Sequence, residues 1–285
     1  MLLTLTASSL RASLGKGKPT KSKLDLFDLP QYTRDELGLH GINLSTDLLV
    51  GQPREALERF RERADKAGCA CLLLVESEAQ AFGDPAEAIG TAVTDRLIRV
   101  IQAGHLLGCS AVAVRVSAKD DPLIFQKAAQ RLRKAVDRAE KLEMNVLVAP
   151  HEGLTATPER VTELLKKVGG FRVGTYPDFQ AAAASSDPVG YLRRLTPYAS
   201  VICAATVKFK ESAEGDRWEH SPYDLKRLVE AVISVGYDGT MAVDYRGTGD
   251  AKLGIIRSRE ALEHLLIVPP KGGVPAMGAP SEDEE

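Results

Sequence analysis

Gly68-Cys69-Ala70-Cys71-Leu72-Leu73-Leu74-Val75-Glu76 reads as a helix end, a short apolar run and a closing polar residue. The same phrase returns as Gly38-Leu39-His40-Gly41-Ile42-Asn43-Leu44-Ser45 and as Gly108-Cys109-Ser110-Ala111-Val112-Ala113-Val114-Arg115. It stands again as Gly236-Tyr237-Asp238-Gly239-Thr240-Met241-Ala242-Val243-Asp244-Tyr245, with looser copies at Glu143 to Glu152, Gly169 to Asp178 and Ala199 to Lys208. Glycine commonly stops a helix in the left-handed region. The apolar runs that follow have the length of buried strands, not of helices. Strands alternating with helices predict a parallel sheet, with the functional site at the strand C-termini.

Outward from each phrase, the helix starts are marked as clearly as the ends. Asp84-Pro85, Asp121-Pro122, Thr157-Pro158, Asp187-Pro188 and Ser221-Pro222 each set a capping oxygen before a proline. The oxygen accepts an orphan backbone N–H, and proline lacks the donor that would be orphaned at the first helical position. These marks predict strands near 2–7, 42–46, 70–76, 110–116, 145–150, 171–176, 200–207 and 240–245. They predict helices near 24–37, 53–67, 85–107, 122–142, 158–168, 188–195, 222–235 and 254–267. Leu57, Phe60, Ala64 and Ala67 give the second helix a single apolar stripe, as on an outer layer.

Eight strand–helix units over about 250 residues match the count and length of a TIM barrel. The expected fold class is therefore α/β: a single (β/α)8 TIM barrel, with a closed eight-stranded parallel sheet inside outer helices. A doubly wound sheet is disfavoured, because no Gly-rich nucleotide fingerprint follows the first strand. The barrel is expected over 1–268, and the Pro/Gly-rich acidic tail at 269–285 reads as disordered.

The 285 residues are 44% hydrophobic and 27% charged with a net charge of -2, a composition that supports a globular core and gives no general attraction to nucleic acid or membranes. The basic run from Arg11 to Lys23 reads as a solvated loop. Cys69, Cys71, Cys109 and Cys203 all lie in or beside apolar runs, where thiols act as small hydrophobes. Cys69 and Cys71 have no second pair at metal-site spacing. The opening Met1-Leu2-Leu3-Thr4-Leu5-Thr6 lacks the form of a secretory signal, and no apolar run approaches bilayer-spanning length. The expectation is a cytoplasmic protein.

Candidate polar residues at the strand ends are Asp47, Glu76, Arg115, His151, Glu152, Asp178, Thr206, Lys208, Asp244 and Arg246. Three phrases among them resemble one family. Thr206-Val207-Lys208 followed by Gly236 to Gly247 is similar to a His-x-Lys, Gly-Tyr-x-Gly, strand, Glu-Tyr pattern. Val146 to Gly153 and Val173 to Phe179 follow the same order of motifs. From about residue 24 to 268 the chain resembles the sugar phosphate isomerase/epimerase superfamily, the xylose isomerase-like TIM barrels, which also include the apurinic-site endonuclease type.

That resemblance implies one divalent metal, held by Glu, Asp, His and Glu from strands five to eight, with the two glutamates shuttling a proton beside a carbonyl. Position by position, the first glutamate falls on Ala149, the aspartate on Asp178, the histidine on Thr206 and the last glutamate on Asp244. Two ligand positions are therefore lost and a third is a methylene shorter. His151, two residues beyond Ala149, is expected on the same side of its strand, which offers a rebuilt metal set of Asp178, Asp244 and His151. Mn or Mg is then the expected ion, and no metal at all is the other option.

Asp244, His151 and Lys208 are the candidate catalytic residues. A lysine at a strand end can form a Schiff base, but binding or an ion pair with Asp178 or Asp244 suits Lys208 better. Arg115, Glu152, Trp218 and Arg246 are the candidate substrate-binding residues. Arg115 can grip a carboxylate or phosphate, or pair with Glu76. Trp218 can cover a sugar or anchor the loop after strand seven.

The function expected is a sugar (phosphate) isomerase/epimerase-like protein, acting by proton transfer on a small polyhydroxylated carbonyl compound. The alternative is a non-catalytic barrel that binds a metabolite or protein partner after loss of the metal. The expected partner is a carbohydrate-like ligand, with neither nucleic acid nor membrane, and a homo-oligomer is an option that the resemblance carries. A DNA nuclease would need a richer metal cluster and a basic face.

Overall fold

The computed structural model describes residues 1–14, 23–215 and 217–267. The tail at 269–285 and the lysines of the basic run at 16, 18 and 21 lie outside the described residues. Eight parallel strands form one curled sheet: β1 (Leu2–Thr6), β2 (Gly41–Ser45), β3 (Ala70–Val75), β4 (Ala111–Arg115), β5 (Asn145–Ala149), β6 (Val173–Thr175), β7 (Val201–Thr206) and β10 (Thr240–Tyr245). Their order is β6-β5-β4-β3-β2-β1-β10-β7. All eight predicted strands are present, each within two residues of its expected bounds. A short antiparallel hairpin, β8 (Phe209–Glu211) with β9 (Trp218–His220), stands apart where the sequence reads as loop.

The helices are α1 (Leu29–Leu37), α2 (Arg54–Ala67), α3 (Glu87–Leu107), α4 (Pro122–Glu140), α5 (Pro158–Val168), α6 (Phe179–Ala184), α7 (Pro188–Leu195), α8 (Leu225–Ile233) and α9 (Ala251–Ile267). Three of the five proline-marked starts are caps as expected. Asp121 accepts from Leu123 and Ile124, Thr157 from Arg160, and Asp187 from Gly190, each with proline in the first turn. The other two start later. Asp84 accepts from the Ala86 N–H in a tight turn, and α3 begins at Glu87. Asp224, not Ser221, caps α8 by accepting from Arg227. Gly68 ends α2 at φ +62°, where the chain must turn left-handed before β3.

Strand alternation sorts the core into two layers. Leu5, Ile42, Leu44, Val112, Val114, Val146, Val148, Ile202 and Val243 face outward into a large cluster with the helices. Leu73, Ala111, Ala113, Leu147, Tyr176, Val201, Cys203, Ala205 and Ala242 form a second, separate cluster on the concave face. No helix among the described residues is long and apolar enough to cross a membrane.

The sheet's two edges, β6 and β7, touch through isolated bridges at Thr175–Ala199 and Asp178–Cys203, with Cys203 N–H donating to Pro177 O at 2.8 Å. Pro177 has no N–H to give, so a continuous ladder is interrupted here. Gly174 permits the approach: a Cβ at this position would stand 2.3 Å from the Tyr198 carbonyl oxygen.

Candidate active site

The inner face of the sheet carries small side chains where it meets the strand C-termini: Ala113 on β4, Ala149 on β5 and Ala205 on β7. The interior of a curled sheet of eight strands is just wide enough for side chains to fill. Small ones at this end leave a cavity of about 1020 Å³, lined by residues from the ends of β1 to β7 and β10.

One wall of the cavity is a polar cluster built on Arg246. Asp244 faces inward near the end of β10 and is only 8% exposed. Arg246 follows two residues later, so alternation returns its side chain to the same face, and its N–H donates to Thr206 O at 2.7 Å to prolong the strand pairing. The Arg246 guanidinium donates from Nε to Asp244 Oδ2 at 2.8 Å, from Nη2 to Asp178 Oδ2 at 2.5 Å and from Nη1 to Gln180 Oε1 at 2.8 Å. A further Nη2 N–H points at Cys203 Sγ, 3.4 Å away. Asp178 also caps α6, accepting from Ala181 N–H at 2.9 Å, and Asp244 Oδ1 accepts from Ser9 Oγ at 3.1 Å. The two carboxylates and the guanidinium carry a net charge of −1.

Burial, then the nearby Asp178 and Asp244 carboxylates, push the Cys203 thiol well above its ordinary pKa. It is a neutral thiol, donating to Asp244 Oδ2 at 3.5 Å while accepting from Arg246. Burial likewise raises Tyr176, with Cys203 and Asp244 adding to the effect. Neither group is an activated nucleophile at neutral pH.

The expected metal set does not form. Among the described residues, no three His, Cys, Asp or Glu side chains are placed to hold a metal ion. Asp178 and Asp244 do converge, but on the guanidinium, whose N–H groups occupy the carboxylate oxygens a dication would need. His151 stands elsewhere on the cavity lining, half-buried, with its backbone pinned by Thr155 and its ring making no hydrogen bond to either aspartate. The donor set does not fit a divalent ion while Arg246 is in place.

The remaining predicted residues separate. Arg115 lines the cavity, where Nη2 donates to Ser77 O. Its suggested partner Glu76 is buried and paired instead with Arg96, Nε to Oε2 at 2.8 Å. Glu152 is exposed, and neither it nor Lys208 lines the cavity. Trp218 lies under Arg257 of α9, with the guanidinium carbon 3.8 Å from the ring centroid, so it anchors the hairpin away from the cavity. Thr206 faces outward and bonds Ser258 of α9 at 2.6 Å. Arg11, assigned from the sequence to a solvated loop, lines the cavity rim and pairs with Asp47 at 2.8 Å.

Ser9, Tyr176, Gln180 and Cys203 belong to the site without having been singled out as candidates. Cys203 is the one with a signal: it precedes the strand end by an odd number of residues, which sets it on the opposite face from Thr206. His220 is a hairpin clamp. Its Nε2 accepts from Val207 N–H at 3.0 Å, which leaves Nδ1–H to donate to Tyr223 O at 3.0 Å.

A family model described as the xylose isomerase-like TIM barrel matches residues 35–265. Solved structures with the same fold include an L-ribulose 3-epimerase, at 12% identity and TM-score 0.76, covering 93% of this chain and 95% of that one. A 3-keto-D-glucoside 4-epimerase from E. coli aligns at 13% identity and TM-score 0.69, over 93% and 99% of the two chains. The IOLI protein, solved with a zinc atom, aligns at 13% identity and TM-score 0.71, over 93% and 98%. No curated protein matches the sequence.

Proposed function

The chain belongs to the xylose isomerase-like TIM-barrel family, and on that premise we propose a sugar isomerase/epimerase-like protein that works without a divalent ion. Its ligand is a small polyhydroxylated carbonyl compound bound at the strand C-termini. The observation that carries this is Arg246, fixed between Asp178 and Asp244 at the wall of the cavity. Closure of the ring at the β6–β7 seam, supported by the Thr175–Ala199 and Asp178–Cys203 bridges, sets Asp178 beside Asp244.

A guanidinium has five N–H donors. Arg246 uses four of them on Asp244, Asp178, Gln180 and Cys203, which leaves one Nη1 N–H for a ligand oxygen. That donor and its fixed charge stabilise the negative oxygen that develops when a neighbouring carbon loses its proton. Asp244 accepts the proton, and His151, elsewhere on the cavity lining, returns one.

A second reading is favoured by one residue. Ala149 stands on β5 where a second carboxylate base would be needed, so the barrel could bind a metabolite without turning it over. The deciding experiment screens C3 and C4 epimerisation of pentoses, hexoses and their phosphates by proton exchange from solvent D2O, after exhaustive chelation. Exchange that survives chelation and is lost in Asp244→Asn and His151→Ala supports the catalytic reading. Exchange that depends on an added divalent ion overturns the metal-free assignment. Ligand binding with no exchange on any bound compound leaves the binding barrel.

A further inference from the structure

Arg115 and Ala149 are direct neighbours in the β4–β5 register, and both side chains face the cavity. Neighbouring strands lie about 5 Å apart, so a carboxylate at 149 would be within reach of the Arg115 guanidinium. Alanine at 149 leaves that cation without the carboxylate that the family resemblance would set beside it. Glu76, the other carboxylate on this wall, is already held by Arg96 and by Thr46 Oγ1. The other arginines lining the cavity are also engaged, Arg11 with Asp47 and Arg246 with Asp178 and Asp244. Among the described residues, Arg115 is therefore the lining arginine with no carboxylate partner. It spends one N–H on the Ser77 carbonyl and keeps four for something else.

Arg115 is half-buried on the cavity lining beside small, apolar Ala113 and Ala149, and its free N–H donors suit a carboxylate or phosphate oxygen. The opposite wall carries a net negative cluster of Asp178, Asp244 and Arg246, suited to hydroxyl and carbonyl groups. The two walls together fit a ligand that is anionic at one end and polyhydroxylated at the other. We infer that the cavity takes an acidic sugar, bearing a carboxylate or phosphate, with its anionic group on Arg115. This rests on the ligand class proposed above and narrows it.

The test is calorimetric binding of D-ribulose, D-ribulose 5-phosphate, D-ribonate and inorganic phosphate to the full chain and to Arg115→Gln and Ala149→Glu. The two sugar anions are expected to bind the unaltered protein at least about tenfold more tightly than D-ribulose, the worth of one charged hydrogen bond. Whichever of the two binds tighter identifies the source of the charge. Arg115→Gln should bring both down to the D-ribulose level. Ala149→Glu keeps the arginine but occupies it, and should do the same, which guards against a folding defect in the first variant. Equal affinity for neutral and anionic probes overturns the inference while leaving the proposed function in place. So does anion binding that both variants retain, and so does a lack of binding by every anion at millimolar concentration. Arg115-dependent binding of D-ribulose 5-phosphate, with no proton exchange in D2O on any ketose that binds, keeps this inference and defeats the catalytic reading.

Discussion

Arg246 Nε lies 2.8 Å from Asp244 Oδ2, and the two residues sit on the same face at the end of one strand. The arginine thus neutralises a carboxylate from its own strand while reaching across to Asp178. Removing it would leave two carboxylates, with side chains only 11% and 17% exposed, facing each other without a cation. Arg246→Met, which keeps the bulk, is expected to cost about 2 kcal/mol, less than a fully buried pair because the arginine is itself 37% exposed. Adding Asp178→Asn and Asp244→Asn should recover most of that loss in a urea titration. A single variant as stable as the parent would refute the neutralising role.

The same geometry predicts metal behaviour. The parent protein should show no change in melting temperature with EDTA or with millimolar Mn or Zn. Arg246→Ala frees the Asp178 and Asp244 carboxylates from the guanidinium, and two unpaired carboxylates at one cavity wall attract a divalent ion. Zn should therefore raise the melting temperature of that variant while leaving the parent unmoved. Stabilisation of both by the ion would mean that the guanidinium does not block a site.

How much of this was legible in the sequence depended on the range of the interaction. The eight strands and most caps are local, each fixed by an apolar run, a glycine or an Asp-Pro pair, and they appear where the sequence indicates. Where two capping groups competed nearby, the nearer won at α8, because Asp224 and not Ser221 reaches the first free N–H groups. The site needed register, which no local pattern carries. Thr206 pairs with Tyr245 and Cys203 with Ala242, so the inward face of β7 belongs to Cys203 and Ala205. Thr206, the position matched to a histidine by family resemblance, turns outward to Ser258 instead. Asp178 and Asp244 were identifiable as strand ends, but their shared arginine required the fold to bring β6 next to β7.

Thiol reactivity should follow burial. All four cysteines are buried and free. Burial raises Cys69 to about 12, with Cys71 adding to it and Arg34 opposing, and burial holds Cys109 and Cys203 well above the ordinary thiol range. Thiolates, not thiols, attack alkylating agents. Iodoacetamide at about pH 8 should therefore leave the folded chain unmodified by mass spectrometry, while the same treatment in guanidinium labels all four. Rapid labelling of Cys203 in the folded state would contradict its assignment as a neutral thiol in the Arg246 cluster.

The hairpin beyond β7 should loosen in acid through His220. The ring is held as the Nδ1–H tautomer, with Nε2 accepting from Val207 N–H. A proton on Nε2 would destroy that bond. Burial lowers the His220 pKa, and the hydrogen bond to the Tyr223 carbonyl only partly opposes it. The unfolded chain then takes up a proton near the ordinary value of about 6.5, before the folded chain does. The stabilisation is fully present above that value and is lost as pH falls from it toward the depressed folded value. His220→Gln removes the titration but not the polar atoms. Between about pH 7.5 and 5, the parent should lose more unfolding free energy than the variant, although the variant starts lower. Tyr223 OH also bonds Ala205 O, so the loss should extend to the end of β7 in amide exchange. Parallel pH dependences for the two proteins would remove His220 as the acid-sensitive clamp.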